Sequence, residues 1–163
     1  ILVEALEFLL PPYGERSRHY TEEVLRNRGV DLRLGQTLAR VHDGEVELRG
    51  GERIPYGTFI WAAGIRGHPL VEALGVELEK GYRVRVDPDL SIPGHPYAFA
   101  AGDLSGAKDE DGKPLPQVAQ VAIQGGKFAA KAIMADLEGR ERGTFRYFDK
   151  GSMATISRFS AVA

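Results

Sequence analysis

The chain has 163 residues with 21 Lys+Arg against 23 Asp+Glu, 43% hydrophobic residues and no cysteine. The near-balance of charge offers no basic face for nucleic acid and no polybasic run for an anionic membrane. The lack of cysteine excludes disulfides, thiolate metal sites and thiol redox catalysis within this span, and no apolar run approaches the roughly 20 residues that cross a bilayer.

Ile1-Leu2-Val3-Glu4 reads as a short buried strand closed by an acid. After Pro11-Pro12, a charged amphipathic helix is expected over residues 15–28, with Tyr20, Val24 and Leu25 inward and Gly29 as its C-terminal stop. Residues 30–34 form the next strand. Residues 38–42 and 45–48 flank Asp43-Gly44, a strong hairpin signal. With residues 53–56 they form a small antiparallel meander. Thr58-Phe59-Ile60-Trp61-Ala62-Ala63-Gly64 is a further apolar strand ending in glycine.

Beyond Ile65, a short helix runs from His68-Pro69 through Leu74 and stops at Gly75. Residues 83–86 read as a strand, Asp87-Pro88-Asp89 as a turn and residues 91–96 as a rigid lead-in. Tyr97 to Ala101 is five apolar residues in a row, suited to a strand covered on both faces. Gly102 then permits close approach, and Asp103 stands just past the strand's carboxyl end, where open α/β sheets place ligands. An ordinary Gly-Asp turn is the other reading of these two residues. Pro116 is expected to open the longest helix, to about Leu137. Residues 145–148 and 152–157 read as two short strands. The chain starts at Ile1 in mid-strand character without methionine and ends without a stop signal, so it is expected to be a piece of a longer protein.

Two constellations carry chemistry. Glu4, at a strand's carboxyl end, suits hydrogen bonding to the ribose hydroxyls of a dinucleotide, although a solvated strand-end glutamate reads the same way. On the long helix, Gln117, Gln120, Gln124, Lys127 and Lys131 recur 3, 4, 3 and 4 residues apart and make one polar stripe, opposite an apolar side of Val121, Phe128, Ala132 and Leu137. A helix N-terminus has free N–H groups and positive dipole character that can stabilise charge developing on a bound ring system. Gly125-Gly126 inside the helix costs about 1 kcal/mol per glycine relative to alanine, which implies close packing. The histidines at 19, 42, 68 and 95 have no metal-ligand spacing. Asp109-Glu110-Asp111-Gly112 lacks the pattern of a calcium loop, so no metal site is expected.

Taken together, Ile1-Leu2-Val3-Glu4, Trp61-Ala62-Ala63-Gly64, Tyr97-Ala98-Phe99-Ala100-Ala101-Gly102-Asp103 and Ala119-Gln120-Val121-Ala122-Ile123-Gln124 resemble the type II NADH dehydrogenases. These are the non-proton-pumping NADH:quinone oxidoreductases of the two-dinucleotide-binding flavoprotein superfamily. The resemblance implies an α/β fold, a truncated part of a two-Rossmann FAD/NAD(P)-binding architecture with a small antiparallel meander. It implies the carboxyl-terminal part of an NADH domain over residues 1–64, that of an FAD domain over 65–142, and the start of a carboxyl-terminal domain over 143–163.

FAD and NAD are the cofactors so implied. Asp103 would bind the ribityl and phosphate part of FAD beside Gly102. Gln117, Val118 and Ala119 would face the flavin, Glu4 would hold the NAD ribose, and Ala63 and Gly64 would lie at the crossover between the two domains. Gln120 and Gln124 would carry the quinone reaction. NADH and quinone are the expected substrates, with peripheral attachment to the cytoplasmic face of the cell membrane through a segment outside this chain, a homodimer as one possible assembly, and no nucleic-acid partner. Both glycine-rich fingerprints lie outside the sequence, so little turnover is expected of this polypeptide alone. Ferredoxin, rubredoxin or a disulfide as acceptor, and a non-catalytic binding or dimerisation module, are the competing readings.

Overall fold

In the computed structural model, which describes residues 1–163, the first apolar run forms β1 (Leu2–Val3), half-buried rather than fully buried. It lies parallel to β2 (Leu32–Arg33), with Leu2 opposite Leu32. The helix between them, α1 (Glu15–Asn27), ends where Gly29 takes a φ of 80° that its missing side chain permits. The inward face of α1 departs from expectation. Thr21 is its buried residue, and its hydroxyl donates to the Ser17 carbonyl at 2.7 Å, while Tyr20 is exposed. A step of one residue rotates a helix by about 100°, so a face centred on Thr21, Val24 and Leu25 turns Tyr20 outward.

The meander forms as expected from β3 (Leu38–His42), β4 (Glu45–Leu48) and β5 (Arg53–Pro55), paired antiparallel with Val46 opposite both Val41 and Ile54. Alternation brings Val46, Leu48 and Ile54 to one face, where Val3, Leu38 and Tyr56 complete a small core. The Tyr56 hydroxyl donates to the His42 carbonyl at 2.8 Å and ties the end of β5 to the β3–β4 turn. The strand expected over residues 58–64 does not form. No neighbouring strand pairs with it, and Ile60 and Trp61 are 80% and 65% exposed.

Residues 1–61 with 151–163 make one unit and residues 62–150 a second. In the second, a 3-10 turn at Pro69–Leu74 is capped by His68, whose Nδ1 accepts from the Leu70 N–H, and is closed by left-handed Gly75. Strands β6 (Leu78–Glu79) and β7 (Arg83–Val84) form a hairpin, as do β8 (Ser91–Ile92) and β9 (His95–Phe99). The expected lead-in is thus partly strand itself. The strand begins earlier than expected and has one antiparallel neighbour, so Tyr97 is 86% exposed and full burial is reached only at Ala100. The long helix, α2, spans Ala119–Leu137. Pro116 lies outside it because Val118 is extended, with φ −130° and ψ 154°.

The buried face of α2 is Val121, Gly125, Ala132 and Ala135, while Leu137 is exposed. Gly125 meets the expected close packing: a side chain there would begin 3.4 Å from the Ala101 Cβ and 3.6 Å from Leu90. Gly126 does not, having open space around it. Two cores fill this unit, one around Val71, Val84, Ile92 and Ala100, the other around Leu90, Ala107, Leu115 and Val121. Residues 145–148 are not a strand. They pack as an extended strap, with Phe145 N–H donating to the Pro88 carbonyl at 2.8 Å and the Phe145 ring 5.5 Å from that of Phe128. The chain rejoins the first unit as the hairpin of β10 (Ala154–Ser157) and β11 (Ser160–Val162). The α/β class with a small antiparallel meander is as expected.

Candidate functional site

The site is built where β9 runs out against the start of α2. Gly102 opens a 3-10 turn (Gly102–Leu104) with φ 73°, and a Cβ at that position would sit 3.1 Å from the Ala122 Cβ. Glycine is therefore required twice over, by backbone conformation and by proximity. The turn presents Asp103 to solvent with no partner for its carboxylate within the chain, while its carbonyl accepts from the Gln117 side chain at 2.9 Å.

The start of α2 is left open. Val118 is the N-cap residue and offers no side-chain acceptor, and the N–H groups of Ala119 and Gln120 have no acceptor within the chain. The first inward bonds are those of Val121 and Ala122 to the Val118 carbonyl. An unpaired carboxylate and the unsatisfied positive end of a 19-residue helix therefore flank one exposed turn. The turn can accept hydrogen bonds from hydroxyls while the helix end donates to an anionic or carbonyl edge.

Gly102, Asp103, Gln117, Val118, Ala119, Gln120 and Gln124 all fall within residues 62–150. The glutamines differ in state. Gln120 has no partner, Gln117 is bound to Asp103, and Gln124 is bound at both ends to the backbone of Phe148. Phe148 had no signal in the sequence, because its partner lies 24 residues away. Ala63 and Gly64 are exposed in an irregular segment and make no hydrogen bond, and Gly64 has φ 109°.

Glu4 belongs to the other unit. Its backbone is fixed on both sides, N–H to the Arg33 carbonyl at 2.9 Å and carbonyl to the Gln36 N–H at 3.0 Å. One carboxylate oxygen accepts from the Leu6 N–H at 3.0 Å, which leaves the other free to accept from a hydroxyl. In the loop at residues 109–112, Asp109 turns its carboxylate onto the N–H groups of Asp111 and Lys113. No group of three or more His, Cys, Asp or Glu side chains is arranged to hold a metal ion.

A clasp ties the carboxyl-terminal end of α2 to the turn before β8. Arg142 donates to both oxygens of Asp136, at 2.6 and 2.5 Å, and to Asp89 at 3.0 Å, with its guanidinium 5.0 Å from the Phe99 ring. Burial would raise the Asp89 carboxyl, but hydrogen bonds from Ser91 and the Arg142 charge outweigh it and hold it below its ordinary value. The two carboxylates push Arg142 upward, Asp136 foremost. Arg83 adds a second brace, donating to the carbonyls of Ser105 and Leu115 at 2.7 and 3.0 Å.

Residues 1–126 match the pyridine nucleotide-disulphide oxidoreductase family. Type II NADH:quinone oxidoreductase Ndh of Mycobacterium tuberculosis is 41% identical over 174 residues, covering 100% of this chain and 36% of that protein. The Staphylococcus haemolyticus enzyme of the same name is 32% identical, covering 98% of this chain and 40% of its own length. The chain thus spans well under half the length of these curated relatives.

Among solved structures, Plasmodium falciparum NDH2 in complex with NADH superposes with a TM-score of 0.84 at 15% identity, over 98% of this chain and 48% of that one. Reduced Bacillus anthracis CoADR-RHD does so at 0.78 and 21%, over 95% of this chain and 28% of that one. No helix is long and apolar enough to cross a membrane. The chain belongs to the pyridine nucleotide-disulphide oxidoreductase family.

Proposed function

We propose that this chain contributes the nucleotide- and acceptor-facing parts of an FAD-dependent NADH:quinone oxidoreductase. The observation that carries the reading is the uncommitted Gln120 amide, in the first turn of a helix whose N-terminus adjoins the unpaired Asp103 carboxylate. The residues fit a flavin nucleotide. Asp103 is an acceptor for ribityl hydroxyls, Gly102 has no side chain to obstruct approach, and the Ala119 and Gln120 N–H groups donate toward negative charge. When bound, the flavin supplies the redox chemistry that links NADH oxidation to quinone reduction.

Glu4 accepts from the nicotinamide dinucleotide's ribose, and its charge disfavours a 2′-phosphate, which selects NADH over NADPH. Gln117 holds the Asp103 turn in place through the carbonyl. Gln120 donates to a quinone carbonyl. Residues 1–64 then belong to the NADH domain, 65–142 to the FAD domain and 143–163 to the entry into a carboxyl-terminal domain. The whole protein works at the cytoplasmic face of the cell membrane, attached peripherally. The high identity to curated type II enzymes supports quinone as the acceptor.

The test is Gln120→Ala in the full-length protein, with quinone and ferredoxin compared as acceptors. The expected result is a raised quinone KM or a lowered kcat, with the defect confined to the oxidative half of the cycle. Unaltered quinone kinetics, or preference for ferredoxin, would remove the assignment.

A further inference from the structure

Only one of the three side-chain amides beside the site is uncommitted. Gln117 donates to Asp103. Gln124 uses both ends of its amide on a single residue: its Nε2 donates to the Phe148 carbonyl at 2.9 Å, and its Oε1 accepts from the Phe148 N–H at 3.0 Å. The side chain thus pairs with that backbone as a neighbouring strand would. The Phe148 ring is 70% exposed, so burial does not hold this residue. Upstream the strap is anchored by Phe145, through its bond to Pro88 and its ring on Phe128. The downstream end is fastened to α2 by Gln124.

Turning the Gln124 amide toward a substrate breaks its two bonds to Phe148, each worth about a threefold to tenfold factor, and with them intact only its second N–H and second oxygen lone pair are open. Gln120, four residues earlier on the same helix face, has nothing to break. We propose that Gln124 is a positioning residue for the acceptor site and not a ligand in it. It fixes the Phe148 backbone against α2, one turn from Gln120, and leaves Gln120 as the amide that meets the acceptor. This rests on the quinone reading given above.

The test uses the full-length holoprotein and the variants Gln124→Ala and Gln124→Glu, since glutamate keeps the acceptor for the Phe148 N–H. Hydrogen exchange at the Phe148 amide is measured without quinone, and quinone KM and kcat are measured separately. Gln124→Ala is expected to speed exchange about fivefold to tenfold, the size of one lost hydrogen bond, and to raise quinone KM several-fold. Gln124→Glu is expected to retain the protection and recover most of the KM. Unchanged exchange in Gln124→Ala with a raised KM would make Gln124 a direct ligand and overturn the proposal. Faster exchange with unchanged KM and kcat would overturn it too, by reducing the contact to a structural one. The quinone reading fails separately, on Gln120→Ala, whatever Phe148 does.

Discussion

The side-chain amide of Gln117 donates to the main-chain carbonyl of Asp103 at 2.9 Å, which couples the turn after β9 to the residues that precede α2. The bond holds the carbonyl of Asp103 and leaves its carboxylate unpaired. The main chain is fixed so that the side chain can serve a ligand.

Asp103→Asn should therefore separate binding from folding. A carboxylate without intrachain partners contributes little to stability, so the unfolding free energy should move by less than about 0.5 kcal/mol. Flavin retention, read from the visible absorbance of the full-length protein after gel filtration, should fall about tenfold or more in affinity, because hydrogen bonds to a charged acceptor are the stronger kind. Equal flavin content in variant and wild type would contradict the role given to Asp103.

Gly102→Ala should do the reverse and damage the frame. The substitution forces a side chain into left-handed backbone and against Ala122, 3.1 Å away. A cost of about 2 kcal/mol is expected from strain and crowding together, measurable as a lowered denaturant midpoint with unchanged slope.

Two other glycines should respond with opposite sign. A Cβ on buried Gly67 would lie 1.9 Å from the Tyr82 carbonyl oxygen, a backbone atom that cannot swing aside, so Gly67→Ala should cost about 3 kcal/mol. Gly126, in open space within α2, should become stabilising by about 1 kcal/mol as alanine. Chemical denaturation of the pair gives a contrast that a general intolerance of this region would not produce.

The Asp89–Arg142 clasp predicts a direction in pH. The Asp89 carboxyl is held below its ordinary value, so its stabilising contribution is complete above that value and is lost as pH falls through the folded one. Unfolding free energy should thus decline from about pH 4 downward, and Asp89→Asn should lower stability at neutral pH while flattening that decline. An identical acid slope in the variant would show that other carboxylates set it.

What could be read from the sequence was what local chemistry determines. Asp43-Gly44 forces a tight turn whatever surrounds it, and β3 and β4 lie where it puts them; Gly29 and Gly75 stop their helical segments for the same reason. What could not be read depended on neighbours across space. The apolar run at 58–64 looked like a strand, but a strand needs a partner and none pairs with it. Tyr97 was expected inside and lies outside because β9 has a neighbour on one side only. At the site, Gly102-Asp103 and the amide stripe were visible as residue types at a spacing. The division of that stripe into one free and two engaged amides was not, because the partners of Gln117 and Gln124 are main-chain atoms 14 and 24 residues away.

Trp61 gives the exposed aromatic run a practical value. It is the sole tryptophan of these 163 residues, 65% exposed, beside Phe59 at the point where one unit gives way to the next. In this chain its emission is therefore a single-site signal. Whatever comes to cover this stretch should announce itself as a blue shift, and a flavin nearby as quenching, with no label added.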